Sequence, residues 1–134
     1  MKSRIVVMGL IFSGLLTIGQ SFGAASTDSS QTVSSDGVTV KVTYLARTEH
    51  ETRFSVVMDT HSGNLDVYDL KANSILRDNT GLAMQPTGME NKGSGHHRQT
   101  ILTFPRPSTR AKWVELVINN LAGEKERVFR WDVK

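Results

Sequence analysis

Val38-Thr39-Val40-Lys41-Val42-Thr43-Tyr44 alternates apolar and polar side chains without a break. That period of two marks a strand with one face on a core and the other toward water. Phe54, Val56 and Met58 repeat the pattern against Arg53, Ser55 and Asp59. Toward the C-terminus it returns three times, in Thr100, Leu102 and Phe104, in Val114, Leu116 and Ile118, and in Phe129, Trp131 and Val133. Shorter runs fill the middle: residues 64–70 as a weaker strand, residues 74–77, and residues 82–85 folding back from the turn Asp78-Asn79-Thr80-Gly81 until Pro86 stops them. Residues 87–95 carry three glycines and little apolar content and read as a loop. Pro105 and Pro107 separate two of the late strands, and residues 119–126 turn between the last pair. No stretch after the N-terminus shows a capped 3.6-residue period. The expected fold is all-β, an immunoglobulin-like antiparallel two-sheet sandwich of about seven or eight strands, with a small β-barrel as the alternative.

The N-terminus has a different character. Lys2 and Arg4 precede an uncharged apolar run over residues 5–18, and Gly19, Ser21, Gly23, Ala24 and Ala25 form a small-residue exit. These are the three parts of a secretory signal, and the run is too short for a stable membrane-crossing helix. Residues 1–25 therefore read as a cleaved signal peptide, cut after Ala25 or, as an alternative that also meets the small-residue rule, after Gly23. Residues 26–36 are polar and read as a flexible leader, leaving residues 37–134 as one domain. The expected location is periplasmic or secreted, with no membrane span after cleavage.

The chain has no cysteine, so neither disulfides nor thiol chemistry enter, and nothing is available for a lipid anchor. Its formal charge of +3 includes Lys2 and Arg4; without them 14 basic residues face 13 acidic ones, a charge of +1. No basic stretch has interleaved aromatics, which argues against nucleic acid as a partner.

Two short motifs look unlike scaffolding, Asp59-Thr60-His61-Ser62 and Gly95-His96-His97-Arg98, and they hold three of the four histidines. Asp59 and His61 sit two apart at a strand end and share a face. Counted back from Thr100, His96 and Arg98 have the inward parity and His97 the outward one, so His96 and His97 serve one ion only if the backbone bends. Gly93 and Gly95 permit that. Asp59, His61, His96 and His97 form a candidate metal set whose nitrogen and oxygen ligands suit zinc or copper. The same residues equally fit a structural role, with His96 or Arg98 packed against Asp59 or Asp66 in a polar contact that fixes the loop. Trp113 has outward parity and marks either a contact patch or a half-buried edge; Arg127 and Arg130 read as a solvated face, and Trp131 as core. A Gly-x-Ser-x-Gly turn, a His-Glu-x-x-His helix and a phosphate-cradling glycine loop are all absent from the sequence, so no catalytic residue is assigned and the chain is not expected to be an enzyme.

The order Asp59-Thr60-His61-Ser62, Asp69-Leu70, Leu76-Arg77-Asp78 with Thr80-Gly81, Pro86, Gly95-His96-His97-Arg98, Leu102 with Phe104-Pro105, and Arg127-Val128-Phe129-Arg130-Trp131 resembles a family of small exported bacterial proteins of uncharacterised function. The resemblance spans nearly all of the chain from Val38 and departs from the family at Met89, where a tryptophan is expected, and at Ser94, where a glycine is. It implies an extracytoplasmic β-sandwich with its polar motifs on loops or strand ends, and no activity. Two functions follow as expectations. One is a non-enzymatic binding module that holds a transition metal through the His/Asp cluster. The other is a structural or protein-interaction domain in which that cluster only stabilises loops.

Overall fold

The computed structural model describes residues 29–133. The expected signal peptide and its cleavage site lie outside these residues, as do residues 26–28 of the leader. The strands are β1 (Ser30–Ser35), β2 (Val38–Arg47), β3 (Glu51–Thr60), β4 (Ser74–Asp78), β5 (Ala83–Met84), β6 (Gly88–Ser94), β7 (His97–Pro105), β8 (Trp113–Leu121) and β9 (Glu124–Asp132). Between β3 and β4 lie a 3-10 turn, Leu65–Val67, and a single helical turn, α1 (Leu70–Asn73).

Two separate antiparallel sheets pack face to face, one in the order β1-β2-β3-β7-β6 and the other β5-β4-β8-β9. With β1 set aside, these orders are those of the ABED and C′CFG sheets of an immunoglobulin-like sandwich. The sheets do not close into a barrel.

The inward faces are those the alternation predicts. Val38, Val40 and Val42, then Phe54, Val56 and Met58, then Leu102 and Phe104 line one side of the core; Val114, Leu116, Ile118, Phe129 and Trp131 line the other. Phe54 is the hub. Its ring centroid lies 5.1 Å from Tyr44, 5.2 Å from Trp131 and 5.8 Å from Phe104. The contacts with Tyr44 and Phe104 are edge-on and the one with Trp131 is tilted, and such aromatic pairs add to the gain from burial.

Among the described residues nine strands form where seven or eight were expected, and the surplus comes from polar segments. The stretch read as a flexible leader supplies β1, because Asp36 and Gly37, at φ 51° and 75°, make a two-residue hairpin turn of the type that matches strand twist. That turn folds Ser30–Ser35 back along β2, where hydroxyl pairs Ser30–Thr43 and Ser34–Thr39, each at 2.8 Å, bridge the strands. Residues 88–94, read as loop, form β6 along β7. An edge strand needs little apolar surface once its neighbour offers unpaired backbone groups. Conversely, residues 64–70 are not a strand. Asn64 accepts a hydrogen bond from the Asp66 amide at 2.9 Å and Asp69 from the Lys71 amide at 3.0 Å, and these caps start the two turns instead. The hairpin between β8 and β9 is tighter than expected, since both strands run on to a two-residue turn at Ala122-Gly123.

Truncating the aromatic hub is expected to be costly: Phe54→Ala should destabilise the domain by about 3–5 kcal/mol, measured by urea unfolding followed by tryptophan fluorescence.

Candidate functional site

The turns β1–β2 and β8–β9, the β6–β7 turn and the β3–β4 loop all lie at one end of the sandwich, as the register of the paired strands requires. The two singled-out motifs meet there. The Thr60 amide donates to the His96 carbonyl at 3.0 Å and the Leu65 amide to the Gly95 carbonyl at 2.9 Å. Both carboxylate oxygens of Asp66 accept from the Gly95 amide at 3.1 Å. The Thr60 hydroxyl donates to the Ser62 carbonyl at 2.6 Å and also contacts the Gly37 carbonyl at 3.0 Å. Gly95, at φ 72°, takes the first central place of the β6–β7 turn. Gly93, at φ 77°, lets the hairpin backbone close up, since a Cβ there would stand 2.9 Å from the His97 carbonyl oxygen.

Arg98 is the anchor of this arrangement. It has the predicted inward parity and is 4% exposed. Its guanidinium donates to the Leu65 carbonyl at 3.0 Å, the Tyr68 carbonyl at 2.6 Å and the Asn91 amide oxygen at 3.0 Å. Asn91 also accepts from the Thr100 hydroxyl at 2.8 Å. The buried cation is thus met by oxygen dipoles, with no carboxylate among its partners in the described residues. Neither Asp59 nor Asp66 pairs with it.

Of the four candidate metal ligands the structure joins two. Asp59 and His97 are direct cross-strand partners on the outer face of β3 and β7, and the His97 Nδ1 is hydrogen-bonded to the Asp59 carboxylate. Both are largely exposed. His61 and His96 are exposed at the rim, and their rings make no hydrogen bond among the described residues. The inward position expected for His96 is not realised, because the chain turns at Gly95-His96 before β7 begins. Among the described residues no group of three or more His, Cys, Asp or Glu side chains is placed to hold a metal ion. The physical reason is where the chain leaves the strands: β3 ends at Thr60, before His61, and His96 stands in the β6–β7 turn, so the outer-face pairing joins Asp59 to His97 alone of the three histidines. The fourth histidine, His50, lies in the β2–β3 turn at the opposite end.

Two arginines read as solvated do more than that. Arg127 is 2% exposed and donates to the carbonyls of Ser35 at 3.0 Å, Leu121 at 3.3 Å and Val38 at 3.4 Å, tying the β1–β2 and β8–β9 turns together. Inward parity with Phe129 and Trp131 was the signal for it. Arg130 lies outside, in a network on the outer face of β4, β8 and β9. There Glu115, 5% exposed, accepts from the Arg77 Nε at 2.6 Å and from the Arg130 Nε and Nη2 at 2.8 and 2.5 Å. The Arg130 guanidinium stands 3.9 Å from the Trp113 ring centroid, a cation–π contact. Burial alone raises the Glu115 pKa, but the hydrogen bonds and charges of Arg77 and Arg130 outweigh it and hold the carboxyl below its ordinary value of 4.5. At the far end of the sandwich Asp78 is treated alike: burial raises it, and donors from Thr80, Ser108 and Leu82 bring it below its ordinary value of 3.8.

Arg98→Met should cost about 2–4 kcal/mol, since it strands two backbone carbonyls, and should loosen residues 64–69 in hydrogen exchange. His97→Ala should cost under about 1 kcal/mol, as the loss of an exposed polar pair does. A carboxylate whose folded pKa is depressed stabilises fully above its unfolded pKa and loses that contribution as pH falls through the folded value. Urea midpoints should therefore drop as pH falls below about 4.5, the ordinary value of Glu115, and Glu115→Gln should flatten the upper part of that fall. No family model, no curated protein and no solved structure matches the chain, so its architecture rests on strand order and its functional reading on the chemistry above.

Proposed function

We propose that this chain is an exported, non-enzymatic, immunoglobulin-like protein-interaction domain acting in the periplasm or outside the cell, in which the Asp-Thr-His-Ser and Gly-His-His-Arg motifs clasp the loops at one end. One observation carries this reading: Gly-His-His-Arg is joined to Asp-Thr-His-Ser through the Thr60 amide on the His96 carbonyl and the Asp59–His97 contact, and to the loop that follows through Leu65 and Asp66 on Gly95 and through the buried Arg98. What they do is hold a rim. Export is supported by the basic start, apolar run and small-residue exit of residues 1–25.

The non-catalytic part of the reading is supported by how the candidate groups are engaged. Asp59 and His97 sit in an exposed pair, and the Thr60 hydroxyl is held by backbone carbonyls. An open notch of about 450 Å³ lies between α1 and the β8–β9 hairpin, lined by Ala72, Asn73, Asn119, Asn120, Lys125 and Glu126. It contains a lysine and a glutamate but none of the histidines, and it is wide open to water, where general acid–base chemistry gains little.

The metal-binding version of the same module needs a third ligand beside Asp59 and His97, and only a rearranged rim would bring His61 or His96 to them. Zinc and copper titrations of the tag-free mature protein separate the two readings. The clasp reading expects no stoichiometric ion at micromolar metal and an unchanged melting temperature for His61→Ala. A bound equivalent of zinc or copper that His61→Ala removes would overturn it. Mass spectrometry of the protein recovered from a periplasmic fraction should show a chain beginning at Ser26.

A further inference from the structure

The free edges of the two sheets differ in what they offer a further strand. The edge at β5 spans two residues, and on β9 the outward backbone groups of Arg130 are taken by the Gln31 side chain, whose oxygen accepts from the Arg130 amide at 3.2 Å and whose nitrogen donates to its carbonyl. β1 carries only uncharged side chains, and a polar strand without a charge pattern leaves register loose. β6 is different. It pairs with β7 alone and ends the five-stranded sheet, and it carries charges of both signs.

Which backbone groups of β6 are free follows from the alternation of hydrogen bonds in antiparallel pairs. The Thr60 amide on the His96 carbonyl and the Arg106 amide on the His50 carbonyl assign the even-numbered residues of β7 to β3. His97, Gln99, Ile101 and Thr103 therefore bond across to Ser94, Lys92, Glu90 and Gly88. Left pointing away from the sheet are the N–H and C=O groups of Met89, Asn91 and Gly93. This free stretch is bounded at both ends. Pro86 has no N–H to offer, and the Gly95 amide is taken by the Asp66 carboxylate at 3.1 Å. At its midpoint stands Asn91, whose side-chain oxygen is braced by Arg98 at 3.0 Å and Thr100 at 2.8 Å.

The charges on β6 share that midpoint. Glu90 and Lys92 flank Asn91, are exposed, and face outward across from Ile101 and Gln99. Turning a second β6 about a two-fold axis through Asn91 sets it antiparallel to the first, bonds Asn91 to its twin and Met89 to Gly93 of the second copy, and lays each Glu90 opposite a Lys92. Those are the non-hydrogen-bonded positions, where directly opposed side chains come closest. Gly88 and Ser94, the outermost pair, bring no charge and little bulk. The neighbouring charges on this face do not upset the match, since Arg53 lies 3.5 Å from Glu90 and Asp59 contacts His97. Arg53 and Lys92 thus stand against Asp59 and Glu90, with no excess of either sign. A uniformly charged partner gains nothing here; a strand with both signs in reverse order does.

From this arrangement we infer that β6 is a self-recognition edge: a second copy of this chain adds antiparallel along it, joining two five-stranded sheets into one continuous sheet about a two-fold axis at Asn91. The inference rests on the interaction-domain reading and names that domain's partner. A two-fold contact needs a single patch complementary to itself, and the order Glu90-Asn91-Lys92, centred in a free edge with a stop at either end, supplies one. The contact is a single strand wide, so the dimer it forms is reversible rather than obligate.

Sedimentation equilibrium of the mature protein in EDTA, which removes any ion able to bridge two rims, measures the association, and amide hydrogen exchange locates it. The expected result is a monomer–dimer equilibrium in which the amides of Met89, Asn91 and Gly93 gain protection as concentration rises, while those of Glu90 and Lys92, already bonded to β7, change little. Lys92→Glu and Glu90→Lys each place like charges opposite one another and should weaken self-association about tenfold or more. Both change exposed side chains, and urea midpoints near that of the wild type verify that each protein is folded. An equimolar mixture of the two variants restores a glutamate opposite a lysine at both positions and should associate as the wild type does. A mature protein still monomeric at about 1 mM would leave the edge to a strand of some other protein and overturn the inference. Dimers that both variants leave intact, protection gained on another strand, or a mixture no better than its parts would overturn it too. The metal titration of the rim is read from other residues, so the two proposals fail separately.

Discussion

A guanidinium can be buried only where acceptors surround it, and in this domain two buried arginines set the terms for one whole end of the sandwich. Arg98 gathers the carbonyls of Leu65 and Tyr68 and the side chain of Asn91; Arg127 gathers the carbonyls of Ser35, Val38 and Leu121. Among the described residues neither has a carboxylate partner. The desolvation of each charge is instead offset by backbone dipoles, which forces those carbonyls, and hence their turns, into fixed positions. The β1–β2 turn, the β3–β4 loop, the β6–β7 turn and the β8–β9 turn are thereby tied to the sheets rather than left as independent loops.

That constraint explains why histidine-rich motifs do not become a metal centre. The strand that turns Arg98 inward turns His97 outward onto Asp59, but the turn that brings Gly95 against Leu65 leaves His96 at its tip, and β3 ends before His61. Among the described residues Asp59 is then hydrogen-bonded to His97 and to no other histidine. Polar residues gathered in one place thus serve the geometry of the rim. On the opposite side of the domain a different polar group, Glu115 between Arg77 and Arg130, is held above the sheet with donors to spare.

Much of the fold was legible in the residues. Period-two alternation from Val38, Phe54, Thr100, Val114 and Phe129 identifies the inner face of every long strand, and two sheets of antiparallel strands follow from it. The polar strands β1 and β6 escaped that reading because an edge strand is held by backbone bonds, which leave no hydrophobic trace. Asp36-Gly37, a strong hairpin dipeptide, was the available signal for β1. Arg127 was misread for a related reason: its parity with Phe129 and Trp131 pointed inward, while its charge argued for water, and a tertiary set of carbonyls decided for parity. The convergence of the two motifs was legible as a possibility and their partnership was not, since which atoms meet depends on turn conformation at Gly93 and Gly95.

By itself the sequence determined which side chains face the core, because alternation is a local property of an extended chain and needs no knowledge of neighbours. It also carried the basic start, apolar run and small-residue exit of residues 1–25, and it holds no cysteine. Only the tertiary structure decided which strands lie beside which, and with that the pairing of Asp59 with His97, the burial of Arg98 and Arg127, and the row Arg77, Glu115, Arg130. Each of these joins segments distant in the chain, and register between such segments is fixed by the packing of the whole sandwich rather than by any stretch within it.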